Sequence, residues 1–262
     1  MKIHTKIATL ILSCDKYSDL WTGFLSQFYK YYNLDNPIYF STNNLIPKNI
    51  SQDIKIITAG NELSWADNFL KVLEKIEDEY ILIMLEDLYL SSPIQGGLLH
   101  EIECLIDGMN VVNHIKCSGF ITGQESVTNH IKLLDGNTPY RVTLCGLWRK
   151  KFLIELINLK ETPWEFEIKG SQRSFNSDGF YALDLPLFNY VNMVEKGLWI
   201  RKSVKWAKKN QVPIDFNLRK HKSIYGELIS VMRDSFFIVM LRVPLKYRTN
   251  TVNFFKRVLI VN

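Results

Sequence analysis

An unbroken apolar run near residue 80 constrains the fold of this chain more than any other feature. The run Tyr80 to Leu85 (YILIML) stops abruptly at Glu86-Asp87. A strand that is apolar at every position, not at alternate ones, is typical of a parallel sheet covered on both faces. The run therefore predicts a buried central strand that brings two carboxylates to the edge of a sheet.

Other segments fit the same kind of sheet. Lys6 to Ser13 predicts a buried first strand; it imitates a signal peptide, but the apolar part is short and no small-residue cleavage site follows. Short strands are predicted at 37–40 and 54–57. Helical spacing of apolar residues predicts helices at 19–32 and 64–76. Strands that alternate with helices favour right-handed βαβ units and a mostly parallel sheet.

The second half of the chain has a less regular pattern. It predicts helices at 97–112 and 149–159 and strands at 115–120 and 141–144. The simplest division is one compact domain, residues 1–210, followed by a basic amphipathic helical extension, residues 211–262. No stretch reaches the roughly 18–20 apolar residues needed to cross a bilayer.

Charge is distributed unevenly along the 262 residues. Hydrophobic residues (47%) and charged residues (23%) have globular proportions, which excludes a disordered, collagen-like or coiled-coil chain. Residues 200–262 hold 14 of the 32 basic side chains and 3 of the 27 acidic ones, so the preceding 199 residues are acidic. Such asymmetry indicates a polyanionic partner. An anionic membrane surface is preferred to nucleic acid, because no nucleic-acid motif accompanies the charge.

Four widely spaced cysteines show no metal-ligand or disulfide pattern. Reduced thiols and a cytoplasmic location are expected, with peripheral attachment of the basic extension to the inner face of the cell membrane. In the competing interpretation, the apolar side of the extension packs on the domain or on a partner subunit of a homo-oligomer.

Polar residues follow the predicted strands and begin the helix at 64–76. In open parallel sheets, ligands bind at the carboxyl ends of the strands. Glu86 and Asp87 are the strongest candidates, although a turn-capping role is nearly as compatible with them. Trp65 suits a core position equally well. The other candidate ligand-binding residues at these ends are Ser13, Asp15, Thr42, Asn43, Asp67 and Asn68.

The order of these segments resembles GT-A glycosyltransferases. The resemblance rests on the blocks WADN, IMLED, LWRKKFL, PWEFEIKGSQRS and GLWIRKSV, and it spans roughly residues 7–206. More narrowly, the chain is similar to bacterial transferases encoded with capsule or lipopolysaccharide genes. It implies an α/β, GT-A-like (Rossmann-like) mostly parallel central sheet flanked by helices, with the C-terminal helical extension added. It also implies transfer of a hexosyl or N-acetylhexosaminyl unit from a nucleotide-sugar donor to a polysaccharide or lipid-linked glycan.

In that family, a strand like the one at residue 80 ends in a DXD-type motif that holds a divalent metal and the donor diphosphate. Here the second carboxylate is replaced by Leu88 or Tyr89. Asp87 is therefore the single predicted ligand of Mn²⁺ or Mg²⁺. A site without a metal, in which Lys or Arg neutralises the diphosphate, remains an alternative.

The downstream blocks are similar to the family segment that holds the catalytic base of inverting enzymes. Glu165 is the first choice for the base and Glu167 the second, with spacing E-x-E where the family usually has adjacent acids. Trp164 is a predicted stacking platform for the acceptor sugar, unless it plugs the core. Arg173 and Arg201 are predicted contacts of the donor diphosphate, although a surface role suits each of them as well.

Two further functions stay open at this stage. The incomplete DXD pattern is compatible with a non-catalytic protein that binds a sugar nucleotide or a glycan at a membrane. A nucleotidyltransferase is disfavoured, because Ser13-Cys14-Asp15-Lys16 lacks the glycines such a loop uses.

Overall fold

The computed structural model describes residues 3–61, 64–109, 111–119, 125–138 and 140–242. Its strands are β1 (Ile3–His4), β2 (Ala8–Leu12), β3 (Leu34–Asp35), β4 (Ile38–Thr42), β5 (Ile54–Thr58), β6 (Tyr80–Leu85), β7 (Leu88–Leu90), β8 (His114–Lys116), β9 (Glu125–Ser126), β10 (Ile131–Leu133), β11 (Gly146–Arg149), β12 (Phe180–Leu183), β13 (Tyr190–Asn192), β14 (Val194–Glu195) and β15 (Leu198–Trp199). Its α-helices are α1 (Ser18–Tyr31), α2 (Trp65–Glu74), α3 (Gly96–Gly108), α4 (Lys150–Leu156), α5 (Pro163–Arg173), α6 (Arg201–Lys209) and α7 (Ile224–Arg242). A single 3₁₀ turn, Asp15–Tyr17, precedes α1.

A nine-stranded sheet of order β5-β4-β2-β6-β11-β8-β12-β10-β9 forms the centre of the molecule. Its first four strands are parallel, and β2 lies between β4 and β6. This 3-2-1-4 order is the Rossmann-like arrangement. The carboxyl ends of β2, β4 and β6 consequently lie along one edge.

The rest of the sheet is mixed. Strand β11 is antiparallel to both neighbours, β6 and β8, whereas β8 and β12 are parallel. Because β11 runs against β6, the beginning of β11 lies beside the end of β6. Residues from the second half of the chain thus reach the edge where β6 ends.

Helices cover both faces of this sheet. One apolar cluster joins the strands to α1, α3 and α6, and a second joins the opposite face to α2, α4 and α5. Strand β2 shows the alternation, since Ile11 packs in the first cluster and Leu10 in the second, both fully buried. The predicted α/β class, with helices flanking the central sheet, is confirmed.

The strand predicted at 141–144 was wrong. Residues 141–143 form no strand, and the strand begins at Gly146. Arg141 there lies with its guanidinium 3.7 Å from the ring centroid of Phe180 and donates a hydrogen bond to Ser177 O, so its side chain anchors a loop. The sequence pattern predicts no helix or strand after Thr162, but this segment forms α5, which has Thr162 as its N-cap and Pro163 at its first position. The strand predicted at 115–120 is short, and Phe120 lies outside the described residues.

The C-terminal part packs against the sheet before α7 begins. Val212 is buried, and Phe216 lies edge-on to Trp199 with ring centroids 5.4 Å apart. Within the described residues, no helix has the length and apolar character required to cross a membrane. Of the predicted extension, residues 243–262 lie outside the described residues.

Candidate active site

The turn Glu86-Asp87 joins β6 to β7 at the carboxyl edge of the parallel strands. Asp87 O accepts a hydrogen bond of 2.9 Å from Met193 N, which fixes the turn against the β13 side of the molecule. Glu86 is buried and Asp87 is partly exposed. The two carboxylates therefore occupy different environments although they are adjacent in the chain.

Glu86 is held from the first strand. Trp21 Nε1 donates to Ser13 Oγ at 2.7 Å, and Ser13 is hydrogen-bonded to the Glu86 carboxyl. Burial, followed by the charge of Asp87, raises the pKa of Glu86 to about 8. At neutral pH, Glu86 is accordingly protonated in most molecules.

Asp87 is the more ionised member of the pair. Burial raises its pKa to about 6, and the charge of Arg219 opposes that shift. Arg219 holds Asp19 through two hydrogen bonds of 2.6 Å, and its guanidinium lies 4.5 Å from the Tyr17 ring centroid. A fixed cation thus flanks the carboxylate pair from the side of α1.

A second group of polar side chains lies near Asp87. Burial raises the pKa of Tyr190 to about 12, and the charges of Cys145, Asp87 and Glu167 add to the shift. Burial also raises the pKa of the Cys145 thiol, with smaller contributions from Cys117, Glu167 and Asp87. We call Asp87, Cys145, Glu167 and Tyr190 the acidic cluster.

The two glutamates of α5 have different surroundings. Glu165 completes a capping box with Thr162 and pairs with Lys169 at 2.8 Å. The hydrogen bond from Lys169, with those from Thr162, lowers the pKa of Glu165 to about 2. Glu165 therefore serves the start of the helix and is a very weak base.

Glu167 points toward the sheet edge instead. Its Oε1 accepts a hydrogen bond of 2.8 Å from Leu144 N. Burial raises the pKa of Glu167, while this amide and the charge of Lys116 oppose the shift. Lys116 is buried, its Nζ donates to Tyr140 O at 2.9 Å, and burial lowers its pKa to about 8. A cation is therefore held behind the Glu167 carboxylate.

Asp15 ties two strand ends together. Its carboxylate accepts hydrogen bonds of 3.0–3.2 Å from the backbone amides of Asn43, Asn44 and Leu45, and its own amide donates to Asn43 Oδ1 at 2.9 Å. Asp15 and Asn43 thus join the ends of β2 and β4 by hydrogen bonds.

Replacing Asp15 with asparagine is expected to destabilise the protein by about 1–2 kcal/mol, because hydrogen bonds from several amides to a charged carboxylate are lost. Urea unfolding at pH 7 measures this. Asp107→Asn is the control, since it breaks only an exposed ion pair with Lys6 and should destabilise the protein much less. Equal losses in the two variants would contradict this role of Asp15.

The remaining candidates near the strand ends lie on α2 and β4. Asp67 is partly exposed and its Oδ2 accepts a hydrogen bond of 2.5 Å from the capping residue Ser64, while Trp65 is half-buried with its ring centroid 5.8 Å from that of Phe166. Asn68 Oδ1 and Thr42 Oγ1 are buried, and no hydrogen-bond partner is found for either among the described residues.

The two predicted arginines are used elsewhere. Arg173 binds Glu161 through bonds of 2.5 and 2.9 Å and donates to Leu156 O at 2.7 Å. Arg201 Nε donates to Lys222 O at 2.8 Å, near the start of α7. The structure therefore places neither of them with Asp87.

Trp164 is not a core residue, because 65% of its surface is exposed. It lies three positions before Glu167 on α5, and residues three apart share a helix face, about one turn from each other. Trp164 thus presents an exposed indole about one helical turn from Glu167.

Sequence reasoning missed three of the charged or polar neighbours. Arg219 and Tyr17 have no local signature. Lys116, by contrast, is a cation in an otherwise apolar strand segment, and a buried cation of this kind indicates an anionic partner nearby. The antiparallel course of β11 is what brings Cys145 and Glu167 beside the end of β6.

The residues present can accept a divalent ion only in a limited way. Among the described parts of the chain, no group of three or more His, Cys, Asp or Glu side chains could hold a metal. Mg²⁺ is often bound by one or two carboxylates together with substrate phosphates and water. Asp87 beside Glu86 fits an ion that arrives with a diphosphate, and it does not fit an ion held by the protein alone.

Comparisons with known proteins found similarity only among solved structures; neither a scan against protein-family models nor a search of curated proteins gave a match. The S. aureus TarS fragment 1–349 is similar over 71% of this chain and 59% of that chain, with 11% identity and a TM-score of 0.49. The same fragment in complex with UDP matches with 11% identity over 72% and 59%, at a TM-score of 0.46. The apo-form glycosyltransferase GlyE of Streptococcus pneumoniae TIGR4 matches with 12% identity over 82% and 62%, at 0.44.

This chain thus spans about three fifths of the length of those proteins. With TM-scores below 0.5 and identities of 11–12%, these similarities add no argument about its chemistry.

Proposed function

We propose that this protein is an inverting glycosyltransferase that uses a nucleotide-sugar donor, with Glu167 as its catalytic base. One observation carries the proposal. Asp87 follows the end of β6, and Glu167 accepts a hydrogen bond from Leu144 N, two residues before Gly146, which pairs with Ile83 of β6. The two carboxylates, from different halves of the chain, therefore lie at the same edge of the sheet. Two carboxylates with separate tasks are what this reaction requires.

The reaction joins an acceptor hydroxyl oxygen to the anomeric carbon as the bond from that carbon to the donor diphosphate breaks. The hydroxyl proton passes to a carboxylate base, and the bonding electrons leave with the diphosphate. Glu167 suits the base, because burial raises its pKa above the ordinary value of a glutamate, although the hydrogen bond from Leu144 N and the charge of Lys116 oppose that shift. Glu165, with a pKa of about 2, does not.

The leaving diphosphate needs positive charge. Arg219 supplies it from the protein: it is held by Asp19, and its charge acts on Asp87. A divalent ion, when bound with the diphosphate at Asp87, would add Lewis-acid stabilisation of the same oxygens. Arg219 replaces Arg173 and Arg201 as the residue proposed to contact the diphosphate.

The nucleoside end of the donor is assigned to the first half of the sheet edge. Ser13, Asp15, Thr42 and Asn43 follow β2 and β4, and the amide oxygen of Asn68 accepts no bond from the described protein. On the opposite side, the exposed Trp164 offers a face for stacking an acceptor sugar. The resemblance noted from the sequence favours a hexosyl or N-acetylhexosaminyl donor and a capsule, lipopolysaccharide or lipid-linked glycan acceptor.

A panel of sugar nucleotides, screened by thermal stabilisation with and without Mn²⁺, tests the proposal. We expect one donor to raise the melting temperature and to release its nucleotide on addition of acceptor. Arg219→Gln should weaken donor affinity by about tenfold or more, because a charge-assisted contact is lost. The matched control is Lys220→Gln, which removes an exposed neighbouring cation.

If no sugar nucleotide stabilises the protein, the glycosyltransferase proposal fails. Tight donor binding without turnover on any acceptor would favour the alternative of a non-catalytic sugar-nucleotide or glycan-binding protein. The burial of Glu86 favours that alternative, because it raises the pKa of this carboxyl to about 8 and so makes it a poor metal ligand at neutral pH.

A further inference from the structure

The first half of α7 is attached to the body of the protein by its polar side. Glu227 Oε1 accepts a hydrogen bond of 2.6 Å from Arg201 N, at the start of α6. Ser230 Oγ bonds both carboxylate oxygens of Glu195 at 3.0 Å, and Lys222 Nζ bonds Glu195 and Ser230. Because Glu227 and Ser230 are three residues apart, they define one helix face, and that face is turned inward.

The opposite face is apolar and exposed. Four side chains on it are between 47% and 73% exposed: Tyr225, Leu228, Ile229 and Met232. At 100° per residue they occupy the side of the helix opposite Glu227 and Ser230. Ile224 and Val231 are also exposed and lie on the flank nearer Glu227. We call Tyr225, Leu228, Ile229 and Met232 the outer face of α7. The usual orientation of a surface helix, apolar side inward, is reversed here.

A contiguous apolar face of this kind marks a surface that another body covers. We infer that the outer face of α7 docks into the headgroup region of an anionic membrane. Aliphatic side chains with a tyrosine at one end suit the boundary between headgroups and acyl chains. The inference is independent of the proposed sugar transfer, because it uses no residue of the acidic cluster.

Charge favours an anionic bilayer over a second copy of the chain. Residues 200–262 carry fourteen Lys and Arg side chains against three carboxylates, and one of these, Glu227, is turned inward. All five cations of neighbouring α6 are exposed: Arg201, Lys202, Lys205, Lys208 and Lys209. Pairing two copies through α7 would bring like charges together, whereas cations near an anionic leaflet strengthen binding.

Co-sedimentation of the full chain with vesicles tests the inference. We expect binding to phosphatidylcholine vesicles containing roughly 30% phosphatidylglycerol, and much weaker binding to phosphatidylcholine alone or in high salt. The double variant Leu228→Glu/Met232→Glu should bind the anionic vesicles at least about tenfold more weakly, because it places acids on the outer face. Leu159→Glu, at an exposed leucine 51% accessible on another surface, should bind like the wild type.

Circular dichroism and melting temperature should be unchanged in the double variant, since the replaced side chains point away from the body. Failure of the wild type to bind anionic vesicles would overturn the inference, and so would equal binding by wild type and double variant. A dimer in lipid-free solution that the double variant abolishes, without any vesicle binding, would instead identify a second copy of the chain as the partner.

Discussion

Replacing Glu167 with glutamine is expected to slow sugar transfer by about 10²–10⁴-fold, the usual contribution of a general base. Glutamine keeps the size of the side chain and can still accept the hydrogen bond from Leu144 N, but it cannot take a proton. Donor affinity should change little, because the diphosphate is assigned to the side of Arg219. The measurement is kcat and donor KM by nucleotide release, with donor binding followed by calorimetry.

Glu165→Gln is the matched control, since it makes the same change two residues earlier on α5. It should lower thermal stability by weakening the capping box and the pair with Lys169, while kcat stays within a few-fold of the wild type. The reverse pattern, with transfer lost in Glu165→Gln and retained in Glu167→Gln, would refute the assignment of the base.

Replacing Glu86 with glutamine is expected to change how stability depends on pH. The folded-state pKa of Glu86, about 8, lies above the ordinary value of 4.5. The folded protein therefore holds this proton more tightly than the unfolded chain does. The stabilisation that results is fully present below pH 4.5 and is lost as the pH rises to 8. From pH 5 to pH 9, the free energy of unfolding of the wild type should fall by about 2–4 kcal/mol more than that of Glu86→Gln.

Urea unfolding across that pH range measures this difference directly. Glu155→Gln, at an exposed carboxyl on α4, should follow the wild-type curve at every pH. Identical pH dependence in the wild type and Glu86→Gln would show that Glu86 is ionised at little cost. That result would refute the assignment of a protonated carboxyl beside Asp87.

The parallel half of the fold could be predicted because its signal is local. Apolar runs such as Leu10–Leu12 and Tyr80–Leu85 are long enough to specify buried strands, and their polar ends identify the binding edge. The antiparallel strand β11 was misplaced by several residues, because Arg141 and Val142 have the composition of a strand although the Arg141 side chain anchors a loop.

The candidate site was only partly predictable for a related reason. Asp87 could be predicted from the apolar strand that precedes it. The roles of Glu165 and Glu167 could be distinguished only from their contacts, because one caps a helix and the other faces the sheet. Arg219 lies 200 residues from its partner Asp19. No periodicity or spacing in one sequence reports such a contact, since it depends on how the C-terminal segment returns across α1.

That return has a geometric consequence. Arg219 lies beside the carboxylates of the site, and α7 begins five residues later at Ile224. Five residues of extended backbone span at most about 17 Å. If α7 lies on a bilayer, the proposed sugar-transfer site would be held a short distance above the membrane surface. Acceptors whose growing end stays close to their lipid anchor would then be extended in preference to long chains that reach into bulk water.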